Sequence, residues 1–394
     1  MKKVLVLTPI LPYPPDDGSR LRTYQVLKFL SKRFTVDLIS FYLETEDLVA
    51  ARDFLKQFCK DIYLLSQGKT RQSKYKLFFY SVDKEKRKEI SNIIREKKYD
   101  VIQAEKVVSL VYLDTDILKN YKVVLDSWGI DSEISFQIYK MQKNFFSKFL
   151  SYLKYLRHYY SELFLLSQIN YFVAITDKSY NFYSKHFKNK KIFLVPNAVD
   201  LEYFCSDKDI SVEKGRISFV GIMNFLPNID AVMFFCKEVV PQLRKKIDFK
   251  FYIIGKNPTK EVLNLANGKD IIVTGEVKDI KEHFLKSEVI VIPLRMGSGL
   301  RNKVIQAMAC GKTVVVTKDA TEGLNVEDNV NILIANTPEE FVEKILLALN
   351  NKELNLKIGE NARKYVEENF SYDVVEKKWF KVYDEIFSSN NNSK

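Results

Sequence analysis

The sequence predicts an α/β protein made of two Rossmann-like domains, each a doubly wound parallel sheet covered by helices, facing one another across an interdomain cleft. Three observations lead there. The chain has 394 residues, long for one hydrophobic core at the usual ~100 to 200 residues per domain. Apolar strand-like runs alternate with helical segments through both halves, as parallel strands joined by crossover helices do. Residues 292–317 read continuously as strand end, glycine loop, basic helix start and second strand, the arrangement in which open α/β sheets hold anions.

In the first half the strand-like runs are 3–8, 35–41, 100–104, 122–126 and 171–175, and the helical segments include 19–32, 84–97 and 178–186. The second half repeats the scheme, with strands at 216–221, 249–254, 271–274, 288–293, 313–317 and 331–334 and helices near 229–246, 278–286, 300–310 and 338–350. Between the two series, 197–215 is turn-rich and charged, with Asp200, Asp207, Asp209, Glu213 and Gly215. The expected division is 1–197, a linker or hinge at 198–215, 216–370, a last helix at 371–387 and a disordered polar tail at 388–394. Trp379, Phe380, Val382, Tyr383 and Ile386 give that helix an apolar face. Ligands of open parallel sheets bind beyond the carboxyl ends of the strands, so two such domains would turn their binding ends toward a common cleft.

The loop Gly297, Ser298 and Gly299 turns the chain sharply with its amides exposed, and a helix from about Leu300 points its positive end back into the loop. Arg295, Arg301 and Lys303 add full charges there. A phosphate or diphosphate suits such a place, although ordinary strand-to-helix turns share the glycine spacing. At the first strand, Gly18 and the start of helix 19–32, with Arg20 or Arg22, offer a second set of donors; an exposed helix arginine is the other reading of Arg22.

With 62 basic and 50 acidic residues the net charge is +12 and the pI about 9.1, which draws the chain toward nucleic acid, a nucleotide sugar or anionic lipid. No nucleic-acid module signature is present. Residues 140–165 interleave lysines with aromatic and aliphatic residues at helical spacing. That fits an amphipathic helix lying on an anionic membrane surface, or a core-covering helix with a solvated basic face. Four cysteines and three scattered histidines show no metal-ligand spacing, so no metal site is expected. The run after Lys2 and Lys3 breaks at Pro9 and Pro12 without a small-residue cleavage site, so it is read as the first buried strand, and no stretch approaches ~18 consecutive apolar residues. The expected location is the cytoplasm, peripherally at the inner membrane face through 140–165.

Lys303, Val304, Gln306, Ala307, Met308, Ala309, Gly311, Val314 and Val315 resemble the donor-binding segment of glycosyltransferase family 4, the retaining GT-B enzymes also called glycosyl transferases group 1. Further similar segments follow in order at 4–22, 195–204, 219–230, 253–258 and 273–277. The resemblance implies a GT-B fold with an acceptor-binding first domain, a nucleotide-sugar-binding second domain and a last helix that returns to the first. It implies metal-independent, hexosyltransferase-type transfer, with retention, from a nucleotide-diphosphate sugar to a glycan or lipid-linked acceptor in cell-surface polysaccharide synthesis, and no cofactor. Donor-binding positions are then Gly18, Arg22, Gly221, Met223, Gly255, Lys256, Val277, Arg295, Gly297, Ser298, Gly299, Leu300, Arg301, Lys303 and Gln306. The departing phosphate gains negative charge, and Lys303 is the residue expected above all to stabilise it.

The chain departs from the family at several of these places. Ser298 and Gln306 stand where two glutamates are usual, and Met223 and Asn228 where an arginine and a lysine usually grip the diphosphate. Gln306 still offers hydrogen bonds to a ribose diol. No histidine follows the strand ending at Asp126; Asp131 is the candidate acid or base, with a helix N-cap as its other reading. Two alternatives stay open: a nucleotide-sugar-binding protein lacking transferase activity, and a basic peripheral membrane binder.

Overall fold

The computed structural model describes every residue except 68–79, 208, 298 and 390–394. Ser298 and most of the expected 388–394 tail therefore lie outside the described residues, while Ser388 still ends a helix. The chain divides into two compact units, Met1–Pro196 with Glu376–Lys394, and Asn197–Val375.

In the first unit β1 (Lys3–Thr8), β2 (Thr35–Tyr42), β3 (Ile62–Ser66), β4 (Val101–Glu105), β5 (Lys122–Ser127), β6 (Tyr171–Ala174) and β7 (Lys191–Leu194) form one parallel sheet in the order β3-β2-β1-β4-β5-β6-β7. Val4 lies opposite Val36 on one side and Val101 on the other. Val4 to Thr8 are all buried because helices cover both faces, and Leu5, Ile39, Ile102, Leu125 and Phe172 share one core. The edge strands β3 and β7 are not among the strands expected from the sequence. Each has one neighbour and most of their residues keep contact with solvent, and their apolar runs, Ile62–Leu65 and Ile192–Val195, are only four residues long.

From Glu376 onward the helix Tyr372–Ser388 belongs to this unit. Trp379, Val382, Tyr383 and Ile386 are buried, the Tyr383 hydroxyl donates to Gln103 Oε1 at 2.6 Å, and Lys122 Nζ donates to the Ile386 carbonyl at 2.8 Å.

The second unit holds β8 (Arg216–Val220), β9 (Lys250–Ile254), β10 (Ile271–Gly275), β11 (Val289–Ile292), β12 (Val314–Val316) and β13 (Leu333–Ile334), parallel in the order β10-β9-β8-β11-β12-β13. The stretch expected as a linker at 198–215 is tied into this unit. Val199 donates to the Phe370 carbonyl (2.8 Å), Glu213 to the Lys286 carbonyl (2.8 Å) and the Gly215 amide to Glu288 Oε2 (2.7 Å). The helix expected over 229–246 is broken by a wider π turn at Phe235–Val239, just ahead of Pro241, which has no N–H to donate.

In both sheets the strand order reverses beside the first strand, between β1 and β4 and between β8 and β11. Crossovers leave such a pair of strands in opposite directions and open a crevice at their carboxyl ends.

Candidate functional site

The second unit's switch point is lined by backbone. Gly221 follows β8 and donates to the Ile254 carbonyl at 2.9 Å; Gly255 follows β9 and donates to the Gly275 carbonyl at 3.0 Å; Met223 donates to the Lys256 carbonyl at 2.9 Å. Gly255 has φ +147°, and a Cβ there would stand 1.7 Å from the Gly221 carbonyl oxygen. A Cβ on Gly221 would stand 2.6 Å from Lys303 Nζ and 2.7 Å from Asn228 Nδ2. Bare backbone at Gly255 admits the close approach of Gly221, and bare backbone at Gly221 leaves room for the lysine.

Lys303 Nζ donates to Asn228 Oδ1 at 2.7 Å and lies 4.3 Å from the centroid of the Phe219 ring. Asn228 is buried and held by its own donation to the Ile222 carbonyl at 2.9 Å. Burial, reinforced by the charge of Arg301, pushes the ammonium down to about 7. Among the described residues no carboxylate pairs with it. Sequence reasoning noted Asn228 only as a missing lysine; it is the acceptor that positions Lys303, and no local spacing signals that.

The helix after the loop runs Asn302–Ala309, two residues later than expected, with Arg301 at the N-cap and no side-chain cap. Elsewhere Asp17, Asp83 and Thr337 cap helix starts with oxygen acceptors. A cationic residue at the positive end of the helix dipole is unfavourable by itself and becomes favourable when an anion joins it. Asn197 Nδ2 donates to Asn302 Oδ1 at 2.7 Å and fixes this start. Gln306 lies three residues beyond Lys303 on the same side of the helix and is partly exposed. Lys256 and Val277, past the ends of β9 and β10, are likewise partly exposed, whereas Met223 and Leu300 are buried.

Four expectations need correction. The Gly299 amide donates to Glu322 Oε1 at 3.0 Å, so the 297–300 amides are not all open to an anion; Glu322 also opposes the burial that lowers Arg301. Arg295 turns to Asp230, with Nε and Nη2 donating at 2.9 and 2.6 Å, and its guanidinium lies 4.6 Å from the Phe234 ring. It lines a shallow surface depression with Met233, Lys237 and Pro338 instead of the glycine loop. Arg22 is not exposed, and its guanidinium donors are taken up within the first unit. It is buried, bidentate to Asp126 (2.8 and 2.9 Å), donates to the Val195 and Pro196 carbonyls, and stacks 4.9 Å from Trp379. At Gly18 the helix start is already capped, because Asp17 Oδ1 accepts from the Ser19 and Arg20 amides.

Within the first unit Asp131 is not an N-cap. Ile130 holds that position, and Glu162 caps the helix by accepting from the Asp131 and Ser132 amides at 3.0 and 2.9 Å. Asp131 Oδ2 accepts from the Tyr80 hydroxyl at 3.1 Å. Given that proton, the Tyr80 oxygen is left to accept from His158 Nε2 at 3.0 Å, while Ser135 meets His158 Nδ1 at 2.8 Å. Burial raises the Asp131 carboxyl; burial and then the charge of Asp131 raise Glu162 to about 7; burial and then Lys106 lower His158 to about 4. At the end of β4, Glu105 is buried and its carboxyl pushed well up by burial and by Asp126, with Gln103 Nε2 and Trp128 Nε1 donating to it at 2.7 and 2.9 Å. Tyr80, Glu105, His158 and Glu162 carry no sequence signal of this association, since each joins partners far along the chain or in an otherwise ordinary strand or helix.

Residues 214–351 match the family model for Glycosyl transferases group 1. The chain is similar along 99% of its length to the whole of an uncharacterized 44.6 kDa protein in the cps region of Klebsiella pneumoniae, at 24% identity over 405 residues. It is 26% identical over 237 residues to the uncharacterized glycosyltransferase MJ1069 of Methanocaldococcus jannaschii, covering 56% of this chain and 60% of that one. Among solved structures, Anabaena Alr3699/HepE in complex with UDP-glucose aligns over 99% of this chain and all of its own, with a TM-score of 0.68 and 14% identity. That likeness is one of fold: two Rossmann-like parallel-sheet units of the GT-B class.

Proposed function

We propose that the chain is a glycosyltransferase that moves a sugar, with retention, from a nucleotide-diphosphate sugar to a glycan or lipid-linked acceptor in polysaccharide synthesis. One observation carries the reading. At the switch point of the second sheet, a lysine with no carboxylate partner among the described residues meets a helix start whose N-cap is a cation. Lys303 and the helix start suit an anion with several oxygens. The family match over this unit and the cps-region relative support transfer and its setting, and the UDP-glucose bound to a protein of similar fold supports the donor class.

In this reading the Lys303 ammonium and the Asn302 helix start hold the diphosphate, Gly221 and Gly255 let it approach the backbone, and Gln306 bonds the ribose. As the bond from the anomeric carbon to phosphate breaks, negative charge collects on the phosphate, where Lys303 strengthens its hold. The acceptor oxygen bonds the same face of the anomeric carbon, and its proton leaves toward the departing phosphate. The positive charge comes from the chain, so the reading requires no metal. Asp131 is the candidate for proton handling or acceptor positioning in the first unit.

The test is a thermal-shift and turnover panel of nucleotide-diphosphate sugars on the wild type and Lys303→Ala. Stabilisation and transfer or hydrolysis with one donor class, both lost in the variant, are expected. Failure of every donor to bind, or equal binding by the variant, overturns the reading. The neutral Gln306 favours a second reading, donor binding without transfer; a donor that binds and is never turned over would select it.

A further inference from the structure

Helices Asp131–Met141 and Phe145–Ser167 form an antiparallel hairpin in the first unit, closed by Asn144, whose side chain accepts from the Phe146 and Ser147 amides. The inner flank of the longer helix packs on the shorter one and on the first unit. Phe136 meets Tyr155 and Tyr139 meets Tyr152, with centroids 5.0 and 5.2 Å apart, and His158, Glu162, Leu165 and Leu166 are buried. The outer flank is apolar and bare. Phe145 is 87% exposed, Phe146 68% and Phe149 52%, and Leu150 and Leu153 are also exposed.

These five side chains form a stripe. At about 100° per residue, positions 145, 146, 149, 150 and 153 fall within an arc of roughly 140°. Lys148 and Lys154 flank the arc on its two sides, and Lys140 and Lys143 stand at the hairpin tip, all four exposed. From Ile134 to Ser161 there are five basic residues and no acidic one. A stripe wanted only for the core would be covered, and one wanted for self-association would bring two sets of lysines together. Apolar residues bordered by lysines match a surface of hydrocarbon beneath negative headgroups, with lysine stems lying along the apolar face and their ammonium groups reaching the phosphates.

We infer that the tip and outer flank of this hairpin dock on an anionic lipid bilayer, inserting Phe145, Phe146 and Phe149 below the headgroups. The chain then works at a membrane surface. The inference is independent of the sugar-transfer reading, because its readout is lipid binding.

The experiment is flotation of the full chain with phosphatidylcholine vesicles, with and without phosphatidylglycerol. Binding is expected with phosphatidylglycerol and should weaken with salt. Replacing Lys140, Lys143, Lys148 and Lys154 by Gln should lower partitioning roughly fivefold per lysine. Phe145→Ser with Phe149→Ser should lower it about tenfold per residue. Both variants should keep the wild-type melting temperature and any donor-induced shift. No binding of the wild type to the anionic vesicles would overturn the inference, as would unchanged binding by the folded variants. A dimer in sedimentation that Phe145→Ser and Phe149→Ser dissolve would equally overturn it, assigning the stripe to a second copy.

Discussion

Donor affinity should report the ionisation of Lys303. Burial and Arg301 bring its ammonium down to about 7, so near pH 8 only about one molecule in eleven of the empty protein carries the charge. A nucleotide-diphosphate sugar keeps its negative charge across this range and favours the protonated lysine, so binding above pH 7 draws in a proton. Below pH 7 the ammonium is already formed and affinity is flat. Above it, each pH unit costs up to about 1.4 kcal/mol, or tenfold. From about pH 6.5 to about pH 8 the fall is roughly eightfold. Titration calorimetry in buffers of different ionisation heat measures both the affinity and the proton uptake, which should approach one per donor near pH 8. Lys303→Met keeps most of the stem, should bind roughly 10- to 100-fold more weakly at low pH, and should lose the slope. A flat wild-type profile, or the same slope in Lys303→Met, would refute the phosphate role.

Three further outcomes follow from the packing. Gly255→Ala places a methyl group 1.7 Å from the Gly221 carbonyl oxygen at φ +147°; urea unfolding should show a loss of about 2–4 kcal/mol, and a loss under ~1 kcal/mol would deny that the close approach is rigid. Arg22→Ala leaves Asp126 buried without its bidentate partner and should cost about 3–5 kcal/mol while the donor-induced thermal shift survives; lost donor binding at unchanged stability would return Arg22 to the donor site. Glu162 is held near 7, above its ordinary value, so the folded state binds the extra proton and stability falls as pH rises from about 4.5 to 7. Lowering of His158 to about 4 acts oppositely, adding stability as pH rises from about 4 to 6.5. Relative to wild type, Glu162→Gln should therefore gain stability by up to about 3 kcal/mol over that rise, and parallel stability curves would contradict it.

How much of this was legible depends on the range of the interactions. Interior strands such as β1 and β11 announce themselves because burial on both faces demands an unbroken apolar run, while β3 and β7 offer only four-residue runs with most of their residues in contact with solvent. Gly297, Gly299, Arg301 and Lys303 are close in sequence, so the local concentration of charge and turn chemistry was readable there. The assignments that changed involve partners far apart: Arg22 with Asp126 across 104 positions, Arg295 with Asp230 across 65, and Lys303 with Asn228 across 75.

By itself, then, the sequence determined the alternation of strands and helices, the doubling of the α/β scheme and the position of the glycine loop, because each follows from periodicity and backbone preference within a few residues. Only the tertiary structure decided which cations are held by carboxylates. A guanidinium or ammonium goes to whatever oxygen the fold brings within about 3 Å. That choice placed Arg22 and Arg295 against carboxylates and left Lys303 on a neutral amide, with its charge sensitive to what binds next.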